Sequence, residues 1–382
     1  MKFFSKLKQI FSGVDWLSSI VLISTPIAAA ILVPWYWIAH GFVWQDWLVF
    51  GLFMIFTGIS VTAGYHRLWS HRTYKTNKFF RIFYMLFGAA ALENSILKWS
   101  SDHRKHHRYV DNPEKDPYAA TKGFWYSHFL WLLKEQTPEQ GRIENVDDLK
   151  QDKIVMFQNR FYVPIAVLMC VGLPALIGWT YGSVLGALLL GGLLRLVLNH
   201  HFTFFINSLA HFWGKQTYND NNTAKDNPLL SLVTYGEGYH NYHHKFAGDY
   251  RNGVRWYDFD PSKWIIGFSS KMGWAWDLKR TPKPLIEAAQ AKMDLQRAHR
   301  RLEKKTFCDT WGTRLNEQYQ QLTDALGTWM KARQDWLKAK QAKSADLGEL
   351  KARMKQVKSD VKQARRSWRQ VMAQFKSQKA IA

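Results

Sequence analysis

The chain is 382 residues long, enough for one large domain with an appendage or for two domains. It is 47% apolar and 15% aromatic with 19 tryptophans, yet its mean hydropathy is −0.30, so a strongly polar segment must offset apolar clusters. A net charge of +22 asks for an anionic surface; no nucleic-acid-binding motif accompanies it, and two cysteines, Cys170 and Cys308, exclude both a disulfide framework and a cysteine metal cluster.

Residues 1–13 carry Lys2, Lys6 and Lys8, and no small-residue cleavage site follows before a long apolar stretch. They read as the flank of a retained anchor. Four apolar segments follow, at 16–39, 47–64, 161–181 and 183–207. Each has about 20 residues, the length that crosses the hydrocarbon core. Pro26, Pro34, Pro164 and Pro174 lie within them, which membrane helices tolerate. The connector HGFVWQD and the short turn between the third and fourth segments lack Lys and Arg, whereas the N-terminus, 65–160 and everything after 207 are rich in both. The positive-inside rule therefore places those three regions in the cytosol. Trp35, Tyr36, Trp37, Trp44, Trp47, Trp179 and Tyr181 sit at the segment ends, as interfacial aromatics do. A fifth apolar stretch, 79–97, reads as a helix buried at or dipping into the membrane face. A fifth crossing would separate 66–71 from 103–107, which the histidines require on one side.

Nine of the 14 histidines fall in four places. His66 and His71 form H-x4-H; His103, His106 and His107 form H-x2-H-H in DHRKHH. His211 stands in NSLAH, and His240, His243 and His244 repeat H-x2-H-H in GYHNYHH. At about 100° per residue, positions 0, 3 and 4 present three imidazoles as one helical stripe. H-x4-H turns its rings about 140° apart, which suits a helix end or two different ions. Asn207 and His211 are four apart and share a face. Nine imidazoles exceed one ion and suit two ions of four to five ligands each. Imidazole serves zinc, copper, iron and nickel. Structural zinc is four-coordinate, so a di-iron site is the expectation. His40, His128 and His299 read as surface or hydrogen-bonded residues. His200 and His201, inside the fourth segment, read as supporting or interfacial polar groups.

From residue 281 onward the chain holds 23 Lys and Arg against 10 Asp and Glu, net +13. This is the segment that lowers the mean hydropathy. Leu315, Tyr319, Leu322, Leu326, Trp329 and Trp336 follow a three-four alternation, as do Leu350, Met354, Val357, Val361, Ala364, Trp368, Val371 and Phe375. Two amphipathic helices broken near 344–348 predict a basic helical hairpin. The hairpin is either packed with solvated lysines or docked on anionic headgroups or on an acidic carrier protein. Domains 1–280 and 281–382 follow.

GYHRLWSHRTYK, WSSDHRKHHRY, NSLAHFWG and GEGYHNYHH resemble the histidine boxes of the membrane-bound fatty acyl desaturases, in the delta-9, stearoyl-CoA desaturase-like branch, of bacterial type. The resemblance runs from about residue 16 to 278. It implies an all-α membrane protein with four transmembrane helices, a cytosolic helical cap holding a di-iron site, and termini and active site in the cytosol of an inner membrane. It implies His66, His71, His103, His106, His107, His211, His240, His243 and His244 as ligands of two iron ions (Fe2+/Fe3+), with Asn207 reaching a metal through water. O2 would be the co-substrate and a cis double bond in a saturated acyl chain the product. Asn94 and Trp99 fall where the family contacts substrate, and Asp102 and Glu237 are candidate carboxylates behind the imidazoles. An external electron donor (ferredoxin, rubredoxin or cytochrome b5-like, with its reductase) is required, because the chain has no flavin, haem or iron–sulfur motif. Membrane lipid is the other expected partner.

One departure touches the acyl carrier. Animal members carry arginine before the Asp-His of the second box, where this chain has Ser101, and WLLKEQTPEQGR sets Glu135 and Glu139 beside Lys134 and Arg142. Acyl-CoA stays slightly ahead of acyl carrier protein or phospholipid as the carrier. A hydroxylase on the same metal scaffold is the rival enzyme. A metal transporter is a more distant rival, since only Arg195, His200 and His201 place strongly polar groups inside a segment.

Overall fold

Asp15 opens the ordered membrane region: its carboxylate accepts the Ser18 N–H at 3.0 Å, caps the helix Trp16–His40, and fixes where the first span begins. The computed structural model describes residues 13–303, 310–343 and 346–377, so Lys2, Lys6, Lys8 and Cys308 lie outside the described residues. The chain divides into two units, Met1–Lys215 with Asn221–Arg280, and Gln216–Asp220 with Thr281–Ala382.

In the first unit four helices are long and apolar enough to cross a membrane: Trp16–His40, Trp44–Ser70, Tyr162–Thr180 and Val184–Phe212. They match the expected segments. The second and fourth, however, extend beyond their apolar runs and carry histidines on the same helices. They are also the structural core: 61% and 56% of their apolar windows are buried, against 11% and 28% for the first and third. The distal connectors are short, and one buried carboxylate stitches them together. Asp46 accepts hydrogen bonds from Tyr36 Oη at 2.9 Å, Tyr181 Oη at 2.7 Å and Ser183 Oγ at 3.0 Å. Gly186 lies so close that a Cβ would sit 2.0 Å from Asp46 Oδ2, so no larger residue fits without dismantling the knot.

The stretch 79–97, expected as one helix, is two. Lys78–Ala89 spans 12 residues, about 18 Å, too short to cross a bilayer. The chain then breaks, with Leu92 and Asn94 at positive φ, and restarts as Ile96–Tyr109, capped by Ser95. The break lets the second histidine box come back beside the first. Gly64 and Gly88 permit the close packing beneath it, since a Cβ on either would run into Tyr84 or Tyr65. A buried layer including Tyr65, Trp69, Tyr84, Ile96, Val155 and Ile266 joins these elements. The two short strands Lys75–Thr76 and Ala275–Trp276 pair antiparallel and close this layer.

The second unit is a three-helix bundle: the expected hairpin with one more helix packed on it. Lys283–Leu302 joins Thr310–Gln341 and Leu347–Ser377. Their shared core holds Ala291, Ala298, Leu315, Leu322, Trp368 and Val371. The added helix buries Ile286 and Met293 with Ala289, Ala291 and Ala298.

Replacing Asp46 by alanine strands three hydroxyls in apolar surroundings, at about 1–3 kcal/mol for each group left unsatisfied. A thermal-shift measurement in detergent is expected to show the melting temperature of Asp46→Ala lowered by several degrees, at about 2–4 °C per kcal/mol. Asp46→Asn, which still accepts, should lose less. Equal melting temperatures for all three proteins would show that the knot does not stabilise the fold.

Candidate metal centre

The second span does not end as an α-helix. From Ser60 to Ser70 it widens into π-helical turns, and the His71 N–H bonds back to the His66 carbonyl at 3.0 Å, five residues away. A ladder that closes over five residues brings positions i and i+5 nearly into line. The 140° splay expected of H-x4-H on an α-helix is thereby removed, and the two rings lie 4.8 Å apart. His66 and His71 consequently belong to one cluster.

The nine histidines sort into two sets. His66, His71, His103, His107 and His243 form one; His106, His211, His240 and His244 form the other, with the ligand atoms of each set all within 4.8 Å of one another. The helix Ile96–Tyr109 sends His103 and His107, four apart, to the first set and His106 to the second. The short helix His240–Lys245 sends His243 to the first and the i, i+4 pair His240 and His244 to the second. His211 arrives on Leu209–Phe212, after a sharp bend at Ser208 ends the preceding helix.

The proton positions on these rings follow from their partners. His66 Nδ1 lies 3.0 Å from Glu237, and His106 Nδ1 lies 3.0 Å from both oxygens of Asp116. His211 Nδ1 lies 2.7 Å from Thr223 Oγ1, whose own proton goes to Asp111. Each of the three therefore donates from Nδ1 and presents a bare lone pair at Nε2. In the four-histidine set the Nε2 contacts run His106–His244 at 3.3 Å, His244–His240 at 3.0 Å and His240–His211 at 3.2 Å. With His106 and His211 bare, His244 and His240 must each point a proton outward, and their mutual contact is left with two facing donors. No assignment of protons to four neutral rings satisfies all three contacts; a cation at the centre satisfies them together. The five-histidine set shows the same convergence, with Nε2 pairs at 3.0 Å (His66–His243), 2.9 Å (His243–His107) and 2.8 Å (His71–His103).

The spacing fits a metal. Two nitrogens in adjacent positions of a five- or six-coordinate ion, each about 2.1 Å from it, are about 3.0 Å apart. In a tetrahedron they are about 3.4 Å apart. Five imidazoles in one set also exceed what four-coordinate structural zinc accepts. Burial pushes His71, His103, His107, His240, His243 and His244 well below the usual imidazole range, and their neighbours' charges push the same way. They stay neutral near pH 7, which is the ligating form.

Behind the rings, Glu237 is held by Arg67, whose guanidinium also binds Asp260 at 2.9 Å. Burial pushes the Glu237 carboxyl up, but His66 and Arg67 outweigh it and hold it below the usual range. Asp102, expected in the same role, faces away: Lys98 holds it at 2.6 Å, with Lys105 3.9 Å off. Adjacent residues on a helix point about 100° apart, so its place beside His103 in sequence carried no information about contact. The carboxylates that sequence reasoning missed are Asp116 and Asp111, in the loop after the second box. Their only signal was the cluster of Asp, Asn and Pro that marks a tight, self-bonded loop.

A cavity of about 360 Å³ opens beside the five-histidine set, with His66 and His103 in its wall. It is lined mainly by apolar groups, among them Leu92 and Phe204, and Asn94, Trp99 and Asn207 all face it. Trp99 stacks on His103 with ring centroids 4.9 Å apart. Its indole N–H donates to Glu93 at 3.1 Å, and Thr203 Oγ1 donates to the other Glu93 oxygen at 2.8 Å. Glu93 was not anticipated; burial pushes its carboxyl up to about 7. His200 bonds the Ala91 carbonyl and His201 pairs with His128, so none of these joins either set. His40 stacks on Tyr36 and His299 bonds Asn316. Ser101 is buried and clamps the backbone of Glu144 at 3.0 and 2.9 Å, which removes it from contact with any phosphate.

Residues 42–267 match the family model for fatty acid desaturases. Among curated proteins, the chain is 39% identical over 308 residues to acyl-CoA desaturase 1 of Saccharomyces cerevisiae, covering 79% of this chain and 58% of that protein. It is 44% identical over 271 residues to a probable acyl-CoA desaturase of Schizosaccharomyces pombe, covering 70% and 54%. It is 40% identical over 243 residues to stearoyl-CoA desaturase 5 of Bos taurus, covering 62% and 72%. The match thus spans little more than half of each fungal relative.

Two outcomes test this geometry. Asp116 orients only His106, so Asp116→Asn should weaken metal at the four-histidine set by about 10–100-fold. After dialysis against a moderate chelator, elemental analysis should then find about half the metal of the parent protein; full retention would show that Asp116 has no such role. Glu93 is neutral below its raised pKa and becomes a buried anion above it, so it costs stability as pH rises through about 7. Glu93→Gln is expected to melt a few degrees higher than the parent at pH 8 and at the same temperature at pH 5.

Proposed function

The chain belongs to the fatty acid desaturase family, and from that premise we propose that it is an O2-dependent acyl desaturase that inserts a cis double bond, at the delta-9 position, into a saturated acyl chain. The observation that carries the proposal is the pair of convergent histidine sets with a mainly apolar cavity opening beside them. The nine histidines would hold two iron ions, and the pair, when bound, supplies activation of O2. The reaction balances as one methylene pair, O2, two electrons and two protons giving one double bond and two waters. The electrons come from an external carrier protein of the ferredoxin, rubredoxin or cytochrome b5 type.

The chain's own residues set up that chemistry. Glu237 and Asp116 accept the Nδ1 protons of His66 and His106 and so aim Nε2 of each at its set. The apolar walls exclude water and leave an alkyl chain without a polar alternative. Trp99, fixed by Glu93 at one edge and stacked on His103 across its face, defines how closely the methylenes approach the five-histidine set. Asn94, whose backbone N–H donates to Tyr162 Oη at 3.1 Å, also lines the cavity.

Acyl-CoA is the favoured carrier. The named substrates of the relatives support it. Ser101, Lys98 and Lys105 are committed to internal partners. Lys134 and Arg142 remain exposed as candidate phosphate contacts. The site faces the side of the membrane where Lys and Arg concentrate, which supports a cytosolic active site.

Expression in a host that lacks its own desaturase tests the reading. The lipids should gain cis-monounsaturated acids, His106→Ala should abolish them, and the purified parent should carry about two iron per chain. Hydroxy acids in their place would sink the desaturase reading in favour of a hydroxylase. Product from phospholipid but not from acyl-CoA would overturn the carrier.

A further inference from the structure

The helix Leu347–Ser377 carries nine Lys and Arg against two acidic residues, Glu349 and Asp360. They are not spread evenly. Lys351, Lys355, Lys358, Lys362, Arg366 and Arg369 follow the spacing 4, 3, 4, 4, 3. At about 100° per residue they fall within a sector of about 80°, over a length of about 27 Å. Glu349 and Asp360 project from the opposite side of the same helix, by the same angular reckoning. The buried positions Val357, Val361 and Trp368 occupy a third sector, against the other helices of the bundle. All six cations are exposed, and none takes part in an ion pair among the described residues, whereas Arg365 beside them is paired with Glu287.

We propose that this stripe is a docking surface for the anionic headgroups of the bilayer in which the same chain is embedded. Three observations select that partner. The stripe is straight and contains no aromatic or large aliphatic side chain; among the described residues the exposed large hydrophobics of the second unit are Leu285 and Leu337, both on other helices. Protein interfaces of useful affinity are normally anchored by such side chains, and a purely cationic face is not. The apolar faces of the three helices are spent on one another, so the unit adsorbs without inserting. Finally, four membrane-crossing helices tether the stripe to a lipid surface, so its effective concentration toward headgroups exceeds that toward any free polyanion.

The test uses the full chain in lipid nanodiscs, with Cys308→Ser and a donor dye on the thiol of Ser359→Cys; the other cysteine, Cys170, is buried. Energy transfer to headgroup-labelled lipid is measured in phosphatidylcholine alone and with about 30% phosphatidylglycerol, at low salt and at about 0.5 M salt. Transfer is expected to rise at least twofold with the anionic lipid and to fall back at high salt. The combined variant Lys355→Glu, Lys358→Glu, Lys362→Glu and Arg366→Glu should abolish the response. Glu349→Lys with Asp360→Lys, on the other side of the helix, should preserve it and serves as the control that altered charge alone does not unfold the bundle, with helicity checked by circular dichroism. Transfer independent of lipid charge would falsify the proposal. So would a stripe reversal that leaves the lipid response intact, or one that instead lowers only the rate of reduction by an acidic carrier protein.

Discussion

Four imidazole nitrogens that cannot all be satisfied by protons are the constraint on which the first unit is built. Any fold that brings His106, His211, His240 and His244 together must answer for their mutual repulsion, and a cation is the answer available. That demand explains local features that would otherwise look like defects. The second span abandons α-geometry at its end, the chain breaks between Ala89 and Ile96, and the fourth span bends at Ser208. Each departure costs regular hydrogen bonding, and each delivers a histidine to a set that a straight helix would miss. Functional sites are where such local violations are expected to gather.

Arg67 shows how the metal sets are coupled to the rest of the cap. It lies next to His66 in sequence, fully buried, and its guanidinium spans Glu237 and Asp260 while also donating to the Tyr250 carbonyl at 3.0 Å. Glu237 accepts from His66 with its other oxygen, and Asn252 donates to that oxygen too. Asp260 in turn caps the helix Pro261–Lys271. A single buried charge network thus links the end of the second span to the GEGYHNYHH box and to the segment behind it. Removing one partner would leave an uncompensated charge in a dry interior, a loss of roughly 3–5 kcal/mol. The network positions the ligands and, by the same contacts, holds the cap together.

The boxes were legible in the sequence because H-x2-H-H is a helical period, and a helical period survives any tertiary arrangement. The four spans were legible for the same reason, through length and hydropathy. What was hidden depended on contacts between elements. The allocation of His66 and His71 to one set turned on π-helical turns, which no residue pattern announces. Asp102 was a candidate because it is next to His103 in sequence, but an imidazole's partner is chosen by direction, and Lys98 already occupied Asp102. Glu93 lay inside a stretch expected as one helix, and only the cavity showed an acid in an apolar wall.

Charge makes the same point from the other side. A net +22 is one number, but the cations behind it do two different jobs. In the first unit Arg67 and Arg104 are buried with carboxylate partners, and Lys105 is buried against backbone carbonyls of the 139–142 turn. Their fields are spent locally, on orienting a ligand or closing a loop, and little of them reaches solvent. On the last helix six cations stand without an ion-pair partner among the described residues, in line and on one side. There positive charge adds up over distance, because charges that share a face and lack partners reinforce one another across a Debye length of about 10 Å. The composition of the chain points to an anionic partner, and it is burial and angular placement that locate where such a partner can be met.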